Sequence, residues 1–231
     1  MIYYGIDTYY LILVIPAMIF SMWAQAKVNS TFKRYSQQRT YSGMTGYEAA
    51  RRILAANGLY NVQVERVAGN LTDHYDPKTN VIRLSDSVFG SNSVAAVGVA
   101  AHEAGHGVQY AQNYAPIKLR SAIIPVTNIG SQLSIPLVLI GAFMGMDPLI
   151  NIGLLLFATV AVFQLVTLPV EFNASSRAVN ALEMSGSIGD EELYGVKKVL
   201  GAAAMTYVAA LAVAVANLLR LILRFGGRRR D

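Results

Sequence analysis

The chain has no cysteine among its 231 residues. That excludes disulfides and any thiolate-held metal, so a metal bound here is bound by histidine and carboxylate. Charge is scarce too: Asp, Glu, Lys and Arg make up 14% of the chain, against roughly 25% in an ordinary soluble domain. With 54% hydrophobic residues, that deficit places part of the protein in lipid. Histidine occurs three times. There is no internal repeat, low-complexity tract or nucleic-acid motif. The net charge of +5 owes much to Arg220, Arg224, Arg228, Arg229 and Arg230 beside a C-terminal apolar run, a pattern of anchoring at an anionic lipid face.

Two of the three histidines fall in one stretch, His102-Glu103-Ala104-Gly105-His106. Residues four apart share a helix face, so both imidazoles can reach one zinc ion while Glu103 points at the adjacent coordination position. There it can take a proton from a water whose pKa the metal lowers to roughly 7. The motif is short enough to arise by chance. Its flanks are small and mostly apolar, from Val94 to Ala101 and from Gly107 to Ala111, as in a buried helix. Two histidines and a carboxylate in such a helix are costly unless something pairs them, and a metal is the natural partner. Gly98, Gly105 and Gly107 each cost helix stability, which points to close approach of a neighbouring helix or of substrate.

The chain divides into four stretches. Residues 1–26 form an N-terminal transmembrane anchor, with an uncharged run from Tyr9 to Ala26 just long enough to span. A cleaved signal peptide is the rival reading, but Asp7 precedes the run and Lys27, Lys33, Arg34 and Arg39 follow it. The positive-inside rule then puts the downstream chain in the cytoplasm. Residues 27–120 read as the first part of a small α+β zinc-peptidase domain. Thr45 and Glu48 make a capping box, Asn57-Gly58 a stop, Val62, Val64 and Val67 a strand, and residues 71–75 and 81–85 a hairpin about the turn Asp76-Pro77-Lys78-Thr79-Asn80. A short sheet against the helix of His102 would offer a peptide substrate an edge to pair with.

Residues 121–170 carry only Asp147 as a charge and turn at Gly145-Met146-Asp147-Pro148, giving a transmembrane helical hairpin. Pro125, Asn128, Gln132, Pro136, Asn151 and Gln164 are expected to face the bundle interior. A hairpin returns the chain to the side it left, so Glu171 comes back to the face that carries His102 and His106. Two histidines on zinc need a third protein ligand, and Glu171 can supply it; a helix-start glutamate favoured by the macrodipole is the competing reading. Residues 171–231 complete the zinc-peptidase domain and end in an apolar, basic helix. Its run from Ala202 to Phe225 is expected to pack first in the catalytic domain and then, from Leu218, to lie at the membrane interface with its arginines among the headgroups. A fourth span is the alternative.

These residues together resemble the neutral zinc metallopeptidases of the YugP type, which are bacterial membrane proteins. The likeness runs over nearly the whole chain: the anchor, residues 71–77 and 81–85, Ala100 to His106, and Glu171-Phe172-Asn173-Ala174-Ser175. The order of anchor, HExxH helix, membrane hairpin and glutamate helix is also similar to membrane peptidases of the HtpX and CAAX-prenyl-protease type. The resemblance implies a gluzincin-like site with Zn2+ on His102, His106 and Glu171 and with Glu103 as general base, in a zincin-like α+β domain that is mainly helical. Ser175 stands where the second group has aspartate. Candidate oxyanion donors are His74, Arg177 and Tyr207, although His74 can equally be a structural donor to Asp73 or the hairpin turn.

The function expected is therefore a multi-pass cell-membrane metalloprotease with a cytoplasmic catalytic face, acting on peptides or membrane proteins. Two alternatives stay open. In one the site is intramembrane and Asp147 is the third ligand; Asp147, however, sits at the far end of the hairpin. The other is a catalytically silent scaffold with structural zinc, which has no need of Glu103.

Overall fold

The computed structural model describes residues 7–226. It is mostly helical with one small sheet. A π-helical stretch, Tyr10–Val14, runs into α1 (Ile15–Ser36); α2 (Gly46–Ala56), β1 (Gln63–Val67), β2 (His74–Asp76), β3 (Val81–Ser85) and α3 (Asp86–Phe89) follow. Then come α4 (Val94–Ala111), α5 (Ala115–Met144), α6 (Asp147–Met184) and α7 (Asp190–Phe225). They form two compact units. One comprises residues up to Ala24, Leu119–Leu168 and the chain from Thr206; the other comprises Gln25–Lys118 and Pro169–Met205.

In the second unit the local signals act as expected. The Thr45 hydroxyl accepts from the Glu48 amide while the Glu48 carboxylate accepts from the Thr45 amide, a reciprocal capping box. Asn57 ends α2 and Gly58 takes the left-handed φ of +71° that glycine tolerates. Asp76 makes the hairpin turn, accepting from the Lys78 amide, the Thr79 hydroxyl and Arg83. β2 pairs antiparallel with β3, and β1 joins the other side of β3 in parallel, in the order β1-β3-β2. The core is built on α4, whose Ala95, Ala96, Val97, Ala100, Ala101 and Ala104 are fully buried, with Leu54, Ile82, Leu84 and Val196 around it.

The membrane-type unit departs from expectation twice. Four helices, not three, are long and apolar enough to cross a membrane: Tyr10–Ser36, Ala115–Met144, Asp147–Met184 and Asp190–Phe225. α7 runs unbroken because no proline interrupts it. Its residues Ala212, Val213 and Ala216 pack on Tyr10, Leu13, Val14 and Ala17. Arg220 donates to the Asp7 carboxylate at 2.8 and 2.9 Å, and Arg224 donates to it as well, so these arginines are paired within the protein. Arg228, Arg229 and Arg230 lie outside the described residues.

The second departure concerns polar residues. Pro125, Asn128, Gln132, Pro136 and Asn151 are exposed on α5 and α6 and Gln164 is half-buried, while Thr127, Ser134 and Thr167 are buried. Close helix contact explains this. A Cβ on Gly130 would stand 2.6 Å from the Leu156 carbonyl oxygen, and one on Gly153 would stand 2.7 Å from that of Ser134. Where two backbones meet this closely, only small side chains fit between them, and long amides are turned outward.

Candidate metal centre

Ser93 caps α4 by accepting from the Ala96 amide at 3.2 Å, and the small side chains that follow let the helix run through the core. From its middle onward His102 and His106 share a face, their rings edge to face with centroids 4.7 Å apart. Glu171, buried on α6, completes the group: one ligand atom from each of the three lies within 4.8 Å of the others. One Glu171 oxygen, Oε2, is 3.3 Å from Nε2 of His102 and 3.5 Å from Nε2 of His106.

Those separations suit a metal. Ligand atoms about 2.1 Å from zinc and set at tetrahedral angles lie roughly 3.4 Å apart. Two imidazole nitrogens and a carboxylate oxygen are also the donor set zinc accepts in sites that keep a fourth position open. The remaining ring nitrogens are occupied. Nδ1 of His102 meets the Ser175 hydroxyl at 3.1 Å, and Nδ1 of His106 meets Oε1 of Gln109 at 3.0 Å. Ser175 thus makes a bond to one of the two histidines of the group. Burial disfavours a charged His106, yet Glu171 and Glu103 beside it lift its pKa above the ordinary value.

Helices α4 and α6 approach because Gly105 has no side chain. A Cβ there would stand 2.6 Å from the Ala174 carbonyl oxygen. Gly98 likewise faces Val196, while Gly107 looks towards Leu54 and Tyr75 at ordinary contact distances. Glu103 is 8% exposed and has no hydrogen-bond partner among the described residues. Near it is Asp73, which burial pushes above its ordinary pKa against the bonds it accepts from the amide and hydroxyl of Ser85; the charge of Glu103 adds to the rise. Asp73 thus secures the end of β3.

The other sequence candidates have different positions. His74 is exposed on β2, with Nδ1 2.9 Å from the Thr72 carbonyl oxygen, so it does not hold Asp73. Arg177 is committed to Oδ1 of Asn173 and Oε1 of Gln112 and lies over the Tyr114 ring. Tyr207 is half-buried on α7 in the other unit. Asp147 is exposed at the start of α6 and takes no part in the ligand group.

Gln109 was not among the sequence candidates. It is fully buried, and its amide donates to the Val170 carbonyl and to Oδ1 of Asn173. The signal available was a lone polar side chain three residues beyond His106 in an otherwise small and apolar helix.

Comparison with known proteins gives the chain a family. A protein from Bacillus subtilis (strain 168) called "Putative membrane protease YugP" is 49% identical over 216 residues, spanning 94% of this chain and 96% of that protein. No solved structure matches. Residues 10–226 match the family described as "Putative neutral zinc metallopeptidase", and with nearly the whole chain matched, this membrane protein belongs to that zinc metallopeptidase family.

Proposed function

We propose that the protein hydrolyses peptide bonds at a zinc ion held by His102, His106 and Glu171, with Glu103 as the general base. The observation that carries this reading is the placing of both histidines about Glu171: two Nε2 atoms stand 3.3 and 3.5 Å from one carboxylate oxygen, close to the roughly 3.4 Å that tetrahedral zinc requires. Zinc at this position supplies Lewis acidity, polarising a carbonyl and acidifying a water. The protein groups do the rest. His102 and His106 present Nε2 because their Nδ1 atoms are engaged. Glu103 follows His102 directly on α4 and has a carboxylate free of hydrogen bonds. It accepts the proton of the attacking water and delivers it to the departing amine.

The open side of β2 offers an extended substrate a strand to pair with. β3 occupies its other edge and Tyr75 of β2 packs on Tyr110 of α4 at 5.4 Å. The substrates proposed are peptides or membrane proteins. The catalytic face is assigned to the cytoplasm from Lys27, Lys33 and Arg34, which follow the apolar part of α1.

The test is zinc content per chain of detergent-purified wild type, Glu171→Ala and Glu103→Gln. One zinc in wild type and Glu103→Gln, with turnover only in wild type and little zinc in Glu171→Ala, is the expected pattern. Full zinc in Glu171→Ala, or turnover in Glu103→Gln, would sink the assignment.

A further inference from the structure

The two ligand helices are joined by hydrogen bonds whose direction can be read from one end to the other. Arg177 has only donors, and its Nε lies 2.7 Å from the Asn173 side chain; the Asn173 atom it meets is therefore the oxygen, Oδ1. That same oxygen lies 2.9 Å from the Gln109 amide, and the Val170 backbone carbonyl, which can only accept, lies 2.8 Å from it. Both contacts require the NH2 of Gln109 on that side. The atom Gln109 turns to His106, 3.0 Å from Nδ1, is then Oε1, an acceptor. A neutral His106 must carry its hydrogen on Nδ1, which leaves the Nε2 lone pair pointing at the ligand group. Reversing the Gln109 amide would break the bonds to Val170 and Asn173 at once in a site where the side chain is fully buried and unmade hydrogen bonds are costly.

We infer that Gln109 is a positioning residue: with Asn173 and Arg177 behind it, it sets the tautomer of His106 and ties α4 to the residue before Glu171. One buried side chain thereby orients two of the three ligands before any metal arrives. Both groups that back the histidines, the Gln109 amide and the Ser175 hydroxyl, are neutral. Two imidazoles and one carboxylate on a divalent ion leave a net charge of +1, and neither histidine is backed at Nδ1 by a carboxylate, the partner that raises ligand basicity. The zinc part of this inference rests on the function proposed above; the tautomer does not.

The experiment is nitrogen NMR of the ring nitrogens in histidine-labelled, metal-free, full-length protein in detergent, at a pH alkaline enough to keep the rings neutral. With three histidines in the chain, single His→Gln variants assign the signals. The wild type should show His106 protonated at Nδ1, and Gln109→Leu, close in volume, should give a mixture of tautomers. In parallel, zinc retention against a chelator should be about 10–100-fold shorter in Gln109→Leu. With cobalt in place of zinc, the visible absorption bands should shift. A wild-type His106 protonated at Nε2 overturns the inference without recourse to any variant, as does Gln109→Leu with unchanged tautomer and zinc retention. A wild type with the Nδ1 tautomer but no affinity for zinc would keep the role of Gln109 and refute the metal site instead.

Discussion

Gly105 and Gly107 sit two residues apart on α4, yet adding one methyl group to each should have opposite effects. At Gly105 the new Cβ meets the Ala174 carbonyl oxygen at 2.6 Å and two further Ala174 backbone atoms at 3.3 Å. None belongs to a flexible side chain. A normal carbon–oxygen contact is about 3.3 Å, so α4 and α6 must part by about 0.7 Å. Metal–ligand distances tolerate only about 0.2 Å, and Glu171 reaches the histidines from α6. Gly105→Ala should therefore lower zinc affinity at least tenfold. Its overpacking cost of about 1–3 kcal/mol should exceed the helix-propensity gain of up to about 1 kcal/mol. At Gly107 the nearest atoms would be Leu54 Cδ2 at 3.4 Å and Tyr75 Cε2 at 3.9 Å. Here the propensity gain is unopposed, so Gly107→Ala should keep its zinc and be as stable as wild type or more so. Zinc per chain after dialysis and the thermal midpoint in detergent measure both effects. If Gly105→Ala matched Gly107→Ala in zinc and stability, the argument from helix approach would be refuted.

Glu103→Gln should retain zinc and lose about 10²–10⁴-fold in turnover of a peptide reporter, the range general-base catalysis supplies; a loss below tenfold would remove Glu103 from the role. Asp7→Asn leaves Arg220 and Arg224 without their carboxylate and should destabilise the protein by about 1–3 kcal/mol, seen as a lower thermal midpoint. A further Arg220→Gln substitution should then cost much less than it does in wild type, and simple additivity would contradict the pairing. Asp73 bears on pH. Because its folded pKa is raised, the ionised carboxylate reduces stability above its ordinary pKa, and stability is lost as pH rises through the folded value. Asp73→Asn should accordingly be the more stable form at pH 8, with the advantage fading at or below pH 4; a pH-independent difference would show that charge is not the cause.

Elements set by neighbours in sequence were legible. Thr45 and Glu48 cap α2 as their spacing predicts, and the turn at Asp76 to Asn80 joins β2 to β3. Both depend on contacts within a few residues. The parallel partnership of β1 with β3 was not predicted, because nothing in residues 63–67 selects between the two edges of a hairpin. The outward amides Asn128 and Gln132 ran against expectation for a related reason. Their polarity was visible, but so were Gly130 and Gly153, and only the packed pair shows that close backbone contact claims the interface.

At the candidate site, the sequence by itself determined that one turn of helix carries His102, Glu103 and His106 on related faces, since helical period alone fixes which side chains are neighbours. It also determined that any third ligand must be a histidine or carboxylate, since cysteine is absent. Tertiary structure decided the rest. Glu171 meets His106 and His102 at sequence separations of 65 and 69, and the distance that results depends on what Gly105 omits and on how Ala174 fits against it. Gln109 looked like a polar residue in an apolar helix until Val170, Asn173 and Arg177 gave its amide a direction. A side chain's hydrogen-bond partners follow from what the fold places within 3 Å of it, and no reading of spacing along one helix contains that information.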